Sequence, residues 1–173
     1  MGTIEVVAVV PAGRRLAPAC RRLLGRLRRA TARPDAGVTL ILTSDAAVRR
    51  LNRVFRGRDR TTDVLSFPAE GDLEPGRPHL GDIAISVTQA SRQARRARWG
   101  VAHEVALLVT HGYLHLLGYD HDTDDGRMRR LEEVLLKRAA GVALAGRRLP
   151  WGMPPAGVKG GRPRRARRAE GGT

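Results

Sequence analysis

The fold and the chemistry of this chain are both indicated by residues 111–121, which read His111-Gly112-Tyr113-Leu114-His115-Leu116-Leu117-Gly118-Tyr119-Asp120-His121. This stretch holds three of the five histidines in the sequence. His111 and His115 are four residues apart, so that on a helix both side chains lie on one face. Gly118 follows where such a helix would end, and its turn would bring His121 back toward the other two. Three converging imidazoles predict a metal site with an open fourth position, which is typical of catalytic zinc.

The length and the cysteine content narrow the class of protein. With 173 residues the chain is long enough for one domain with its own core. Its single cysteine, Cys20, excludes an internal disulfide and a four-thiolate metal cluster, so a metal would need histidine or oxygen ligands. Glu5 interrupts the apolar run near the N-terminus, and no apolar stretch approaches the roughly 20 residues that span a bilayer. We therefore expect a cytoplasmic protein.

The charge leaves two interpretations open. The chain has 32 lysine and arginine residues against 17 acidic ones, a net charge of +15. Such an excess is typical of nucleic-acid-binding proteins, but an arginine-rich composition can also be a property of the whole genome. Residues 147–173 carry eight of the basic residues and one acid. Because this stretch is rich in Arg, Pro and Gly and has little to bury, we expect a disordered basic tail after a domain over 1–146.

Apolar periodicity predicts four strands and five helices. β-Branched runs bounded by turn residues predict strands over 3–10, 38–43, 64–68 and 80–86. Helical spacing of apolar residues predicts helices over 15–30, 45–55, 88–98, 101–117 and 124–140. A loop rich in Pro and Gly is expected over 69–79. The interleaved order indicates an α+β domain, in which a small four-stranded mixed sheet is packed against about five helices.

Three of these helices have apolar faces that we expect to be buried. In helix 45–55 the face consists of Val48, Leu51, Val54 and Phe55. In helix 124–140 it consists of Met128, Leu131, Val134 and Leu135. Helix 101–117 is apolar on nearly every side, which predicts a helix buried all round. A metal site on such a helix would be held rigidly, whereas an unpaired imidazole there would be costly.

A single histidine on a helix is usually structural, but the spacing here favours a metal site. Offsets of 0, +4 and +10 around a glycine resemble the zinc-binding stretch of the metzincin metalloproteases. Those proteases have a glutamate base directly after the first histidine, where this chain has Gly112, so protease activity is not favoured. Of the other histidines, we expect His79 to be solvated in the loop and His103 to be structural at a helix end.

Acidic residues surround the last histidine of the stretch. We expect Asp120 to accept a hydrogen bond from a ligand imidazole and so fix its tautomer. Asp124 and Asp125 are expected to cap the final helix.

The segment from Arg56 to Asp63 is a polar, glycine-containing loop with three arginines, Arg56, Arg58 and Arg60. Arginine offers a planar set of donors that matches phosphate oxygens, and it stays charged at working pH. The pattern alone fits an RNA- or phosphate-binding loop and a merely solvated basic loop equally well.

Three motifs follow one another along the chain: Leu51-Asn52 with Phe55-Arg56-Gly57 and Thr62-Asp63-Val64-Leu65-Ser66-Phe67-Pro68, then Gly81-Asp82-Ile83, then the histidine stretch. Together they resemble the YbeY endoribonucleases, bacterial metal-dependent enzymes of ribosomal RNA maturation. The resemblance covers about residues 3–140 and leaves the tail outside.

The resemblance implies one zinc ion bound by His111, His115 and His121, in a zincin-like arrangement. It also implies that Arg56 lines an RNA cleft, and that the protein cleaves single-stranded RNA, trims the 3′ end of 16S ribosomal RNA and acts in quality control of 70S ribosomes. We assign the catalytic roles to Arg56 and His111. Nickel, copper and iron also bind imidazole, and the oligomeric state is left open.

Asp63 and Asp82 are candidates to orient Arg56 or a water molecule. The attacking group is left open between water and the 2′-hydroxyl of the RNA. An alternative function is that of a non-catalytic, ribosome-associated RNA-binding factor in which zinc is structural.

Overall fold

The computed structural model describes residues 2–69, 79–120 and 124–141. Their elements are β1 (Ile4–Ala8), α1 (Pro11–Ala30), β2 (Gly37–Thr43), α2 (Asp45–Arg56), β3 (Val64–Pro68), β4 (His79–Ser86), α3 (Val87–Ala97), α4 (Val101–Leu116) and α5 (Arg127–Leu135), which continues as a π-helical turn over Leu136–Ala140. The predicted α+β class is confirmed, with its strands and helices in the predicted order. None of the helices in these ranges is both long and apolar enough to cross a membrane.

The strands form one mixed sheet with the order β1-β2-β4-β3. β1, β2 and β4 run parallel, with Val6 beside Leu40 and Leu40 beside Ile83. β3 runs antiparallel to β4, with Ser66 beside Ile83, and it forms the edge of the sheet. The edge position of β3 leaves its outer side available for the site described below.

α1 and α4 pack together on one face of the sheet and enclose the main core. Leu24 and Leu27 of α1, together with Leu40 of β2 and Ile83 of β4, are fully buried there. α4 is buried over nearly its whole length, as its apolar composition predicted. Its Tyr113 reaches Thr31 at the end of α1, where the two side-chain oxygens lie 2.8 Å apart. The helix that carries the two histidines is therefore held in the centre of the domain.

Two predicted apolar faces were partly wrong. Val54 is 66% exposed and Val134 is 45% exposed. Each lies six positions after the first buried residue of its helix, Val48 or Met128, which places it about 120° away from the buried face. Phe55 does lie in line with Val48, but it is 63% exposed because the last turn of α2 extends over the open edge of the sheet.

Smaller departures concern boundaries and caps. α1 begins at Pro11 rather than at residue 15, in keeping with the preference of proline for the first turn of a helix. His79 was expected to be solvated in the loop, but it begins β4, where its Nε2 lies 3.0 Å from Asp82 Oδ1. The Asp124 carboxylate accepts hydrogen bonds from the backbone N–H groups of Gly126 and Met128, which confirms Asp124 as a cap.

Asp125 was wrongly predicted to cap the same helix. Its backbone is left-handed, with a φ of 49°, and its carbonyl accepts a hydrogen bond from Arg130. His121, the domain boundary at 146, the tail over 147–173 and most of the predicted loop over 69–79 lie outside the described residues.

The buried start of α4 generates a prediction about pH. Glu104 is fully buried, and burial raises the pKa of its carboxyl from 4.5 to about 7, although Trp99 Nε1 donates a hydrogen bond to Oε2 at 2.6 Å. Between these pH values the folded protein keeps a proton that the unfolded chain has lost, so the free energy of unfolding falls as pH rises from 4.5 to 7. Glu104→Gln imitates the protonated form. We expect wild type to lose about 1 to 3 kcal/mol relative to this variant over that interval.

The measurement is urea unfolding of both proteins at matched pH steps. Because both proteins share all other titrating groups, the difference between them isolates Glu104. Parallel stability curves would contradict the prediction.

Candidate active site

His111 and His115 form the centre of the candidate site, one helical turn apart on α4. Their Nε2 atoms lie 3.1 Å apart, and their rings meet nearly edge to face at an angle of 81°. Two nitrogens that each lie 2.0–2.1 Å from a tetrahedral zinc ion would be roughly 3.3 Å apart. The pair therefore fits two ligands of one divalent metal ion.

Glu132 of α5 orients the first of these histidines. Its Oε1 lies 3.2 Å from His111 Nδ1, and both side chains are almost completely buried. A proton on Nδ1 donated to this carboxylate directs the lone pair of Nε2 toward the metal position. Asp120 was predicted to accept a hydrogen bond from a ligand imidazole. It lines the cleft, and the carboxylate that contacts His111 is that of Glu132.

Sequence reasoning missed Glu132, although the sequence contained a signal for it. Glu132 lies four residues after Met128 and three before Leu135, two residues on the apolar face of α5. An acidic residue in the middle of a buried face needs a partner, because an unpaired buried charge is costly. That partner comes from α4, which periodicity within one helix cannot reveal.

A third ligand is not among the residues that the structure describes. Over residues 2–69, 79–120 and 124–141, no group of three histidine, cysteine or acidic side chains is close enough to bind one metal ion. His121, predicted as the third ligand, lies outside these ranges. The described residues thus contribute two imidazoles to the predicted set.

A cleft of about 570 Å³ joins the histidine pair to the polar residues expected around it. Its wall includes Arg56, Arg58, Asp63, His111, His115 and Asp120. Arg60 lies in an adjoining pocket of about 210 Å³, which it shares with Arg56 and Arg58. Asp82 is not among the residues that line either space, and its carboxylate pairs with His79 instead.

Arg56 is held at the open edge of the sheet. The carbonyl of Asp63 accepts a hydrogen bond from the Ser86 N–H on β4, and carbonyl directions alternate along a strand. The Ser66 carbonyl, three residues later, therefore points to the open side of β3, where Arg56 Nη2 donates to it at 3.1 Å. One end of the guanidinium is thus fixed while its side chain borders the cleft.

The loop that carries Arg58 and Arg60 is anchored to α2. Gly57 ends the helix with a left-handed φ of 65°. Asn52 Nδ2 donates to the Arg60 carbonyl at 2.7 Å, and Arg49 forms a bidentate ion pair with Asp59 at 2.8 Å. The two arginines therefore extend from a segment whose backbone is fixed at several points.

Asp63 is equally well fixed, with both carboxylate oxygens engaged. Oδ1 accepts from the Val64 N–H at 2.8 Å and from the Thr62 hydroxyl at 3.1 Å, and Oδ2 accepts from Gln93 Nε2 at 2.8 Å. Asp63 was a candidate to orient Arg56. It lies in the cleft wall, but the hydrogen bond that fixes the Arg56 guanidinium is accepted by the Ser66 carbonyl.

Gly112 allows α4 to lie directly against the sheet. A Cβ at this position would be 2.8 Å from Ile83 Cγ2 and 3.0 Å from Ser66 Oγ. The Ser66 hydroxyl donates to the Gly112 carbonyl at 3.2 Å, so the helix and β3 are in contact there. A glutamate base of the metzincin kind has no space at this position, which argues against the protease alternative.

Comparison with known proteins identifies relatives that match most of this chain. The family model for endoribonuclease YbeY matches residues 14–140. An endoribonuclease YbeY from Nautilia profundicola is 49% identical over 104 residues, which are 60% of this chain and 73% of the relative. One from Thermus thermophilus is 43% identical over 139 residues, which are 77% of this chain and 98% of the relative.

A solved structure is similar as well. The solution structure of TM1509 from Thermotoga maritima matches with a TM-score of 0.60 and 29% sequence identity. The match covers 80% of this chain and 90% of that one.

The packing at Gly112 predicts a loss of stability on adding one methyl group. In Gly112→Ala the new Cβ meets the Ile83 side chain, so α4 or β4 must shift. We expect the free energy of unfolding to fall by about 1 to 3 kcal/mol. Gly25→Ala is the matched control, because Gly25 also lies inside a helix and a Cβ there meets no atom closer than 3.7 Å. Equal unfolding midpoints in urea for the two variants would show that the contact at Gly112 is not tight.

The Glu132 contact predicts an effect on metal affinity. Glu132→Ala removes the group that orients His111, and we expect metal affinity to fall by about 10- to 100-fold. Glu132→Gln keeps an oxygen acceptor and should lose less. The control is Glu133→Ala, which changes the neighbouring, partly exposed carboxylate. Competition with a chromophoric chelator measures the affinity, and unchanged affinity in Glu132→Ala would exclude the orienting role.

Proposed function

This chain belongs to the YbeY family of endoribonucleases, and we propose that its cleft cleaves single-stranded RNA with the help of one divalent metal ion, preferably zinc. The observation that carries the proposal is the composition of one cleft wall. There, two imidazoles 3.1 Å apart share a surface with Arg56 and Arg58. Family membership makes the chain an RNA-cleaving hydrolase rather than a non-catalytic binding factor.

His111 and His115 would bind the metal together with His121. The donor chemistry fits, because neutral imidazoles are common zinc ligands, and a proton on His111 Nδ1 donated to Glu132 would leave Nε2 free for the metal. When bound, such an ion supplies Lewis acidity and lowers the pKa of coordinated water at an open position. Three imidazoles add no negative charge, so the site would stay attractive to phosphate.

Arg56 would bind the phosphate at which RNA is cleaved. Its hydrogen bond to the Ser66 carbonyl uses one of five N–H donors and fixes the direction of the planar group. The other donors can pair with phosphate oxygens as negative charge increases in the transition state. Arg58 and Arg60, on the same anchored loop, would contact neighbouring phosphates of the RNA strand.

His111 would act in catalysis through the metal that it helps to hold. Asp63 and Asp120 border the same cleft and are our candidates for orienting the attacking group. Asp82 lies farther along β4 in contact with His79, where it would act only indirectly. Analysis of the product ends identifies the attacking group, since a 2′,3′-cyclic phosphate is formed only when the RNA's own 2′-hydroxyl attacks.

The physiological substrate that we propose is ribosomal RNA in the cytoplasm. The net charge of +15 suits a ribosome or small-subunit surface that is dominated by phosphate. Maturation of the 3′ end of 16S ribosomal RNA and quality control of 70S ribosomes would both require single-strand cleavage of this kind.

Arg56→Ala separates the phosphate role from metal binding. We expect the variant to keep its metal and to cleave RNA about 100-fold more slowly or worse, because one positioned donor to a developing charge contributes about 2.7 to 4 kcal/mol. His115→Ala should lose metal and activity together. Elemental analysis and single-turnover cleavage of a labelled RNA, with and without chelator, are the measurements.

The control for charge alone is Arg50→Ala, which removes an exposed arginine of the same helix that does not line the cleft. It should cleave at the wild-type rate. A normal rate in Arg56→Ala would disprove the phosphate role, and full activity without metal would disprove the metal role.

A further inference from the structure

The two phenylalanines of this chain, Phe55 and Phe67, meet where the end of α2 contacts the edge strand β3. Their ring centroids are 5.1 Å apart, and the planes are inclined at 62° in an edge-to-face arrangement. Neither ring belongs to the buried hydrophobic core, and Phe55 is 63% exposed. Aromatic residues make up only 3% of the sequence, so the pairing of both phenylalanines at one surface position asks for an explanation.

Leaving Phe55 in solvent forgoes stability that its burial would supply, about 1.5 to 3 kcal/mol for a side chain of this kind. The ring is nevertheless not free to take any position. Phe67, half buried on β3, contacts it from the sheet side, and such aromatic pairs favour a defined geometry. Phe55 is thus largely exposed to solvent while its ring is restrained by the contact with Phe67.

The rings adjoin residues of the cleft wall along the chain, although neither ring is part of that wall. Phe55 directly precedes Arg56, and Phe67 lies between Ser66 and Pro68, all three of which line the cleft. Because side chains alternate along a strand, Phe67 lies on the other face of β3 from Ser66, whose hydroxyl contacts α4, so the aromatic pair and the cleft are separated by the edge strand that Arg56 borders. Exposed arginines flank Phe55 in the sequence, Arg53 on α2 and Arg58 after Gly57. The acid of this loop, Asp59, is already paired with Arg49.

A flat aromatic face beside phosphate-binding arginines matches the chemistry of an unpaired nucleotide. The base stacks on the ring while arginines bind the adjacent phosphates. A base inside a duplex has no exposed face to stack, so the surface suits a single strand. We propose that Phe55, supported by Phe67, is a stacking subsite for an unpaired base next to the phosphate bound by Arg56.

This subsite rests on the proposed function and adds a source of substrate preference to it. Stacking requires an exposed base, so it favours single strands over duplexes without reading sequence by hydrogen bonds. Purines have the larger π-surface and should bind more strongly than pyrimidines.

The test compares Phe55→Ala, Phe55→Leu and Phe55→Trp with wild type in binding a short, fluorescently labelled oligoadenylate, with chelator present to prevent cleavage. We expect the alanine and leucine variants to bind the oligonucleotide about tenfold more weakly than wild type, and the tryptophan variant to keep the wild-type affinity. Val54→Ala, which alters a neighbouring side chain of similar exposure, is the control and should leave the affinity close to that of wild type.

An oligonucleotide with a single abasic ribose identifies the stacked base. Scanning the abasic position should reveal one position at which wild type loses about tenfold in affinity and Phe55→Ala loses nothing further. Metal content and unfolding midpoints should stay at wild-type values, since Phe55 is largely exposed.

Wild-type affinity in Phe55→Ala, or in Phe55→Leu, would overturn the stacking role, because leucine keeps the apolar volume and removes the π-face. In that case the wild-type protein would still cleave RNA with metal, and the proposed function would stand. If wild type neither binds nor cleaves the RNA, the proposed function itself fails, and the stacking subsite fails with it.

Discussion

The close approach of α4 to the sheet at Gly112 is the constraint on which the other features depend. With no side chain there, the helix contacts Ile83 and Ser66 directly and lies buried across β3 and β4. This position brings His111 and His115 to the edge strand, where Arg56 is held by a β3 carbonyl. A bulkier residue at position 112 would move His111 and His115 away from Arg56.

A helix buried this deeply can carry polar groups only if each of them has a partner. Tyr113 contacts Thr31, Glu104 accepts from Trp99, and His111 contacts Glu132. These contacts lie on opposite sides of α4 and reach three different parts of the chain. The polar residues therefore fix the rotation of the helix as well as avoiding the cost of burial, and both effects hold the histidines in one orientation.

The sequence predicted those features that depend on local pattern. Element order and the buried α4 followed from periodicity, and the histidine spacing and family motifs singled out several residues that line the cleft, such as Arg56, His111 and His115. Glu132 was missed and the burial of Val54 and Phe55 was misjudged, for related reasons. The partner of a buried carboxylate on α5 lies on α4, and the exposure of Phe55 depends on where the sheet ends. Both are facts of tertiary packing that no single helix contains.

The same packing explains how a protease-like histidine spacing can serve a nuclease. A peptidase of this type needs a base after its first histidine, and an extended peptide substrate commonly pairs with an open sheet edge. Here Gly112 leaves no room for the base, and Arg56 occupies the Ser66 carbonyl on that edge. In the function proposed above, the arginine that occupies this carbonyl would also bind phosphate. Loss of the base matters less for a phosphodiester, because much of its transition-state stabilisation comes from positive charge, which Arg56 and the metal would supply together.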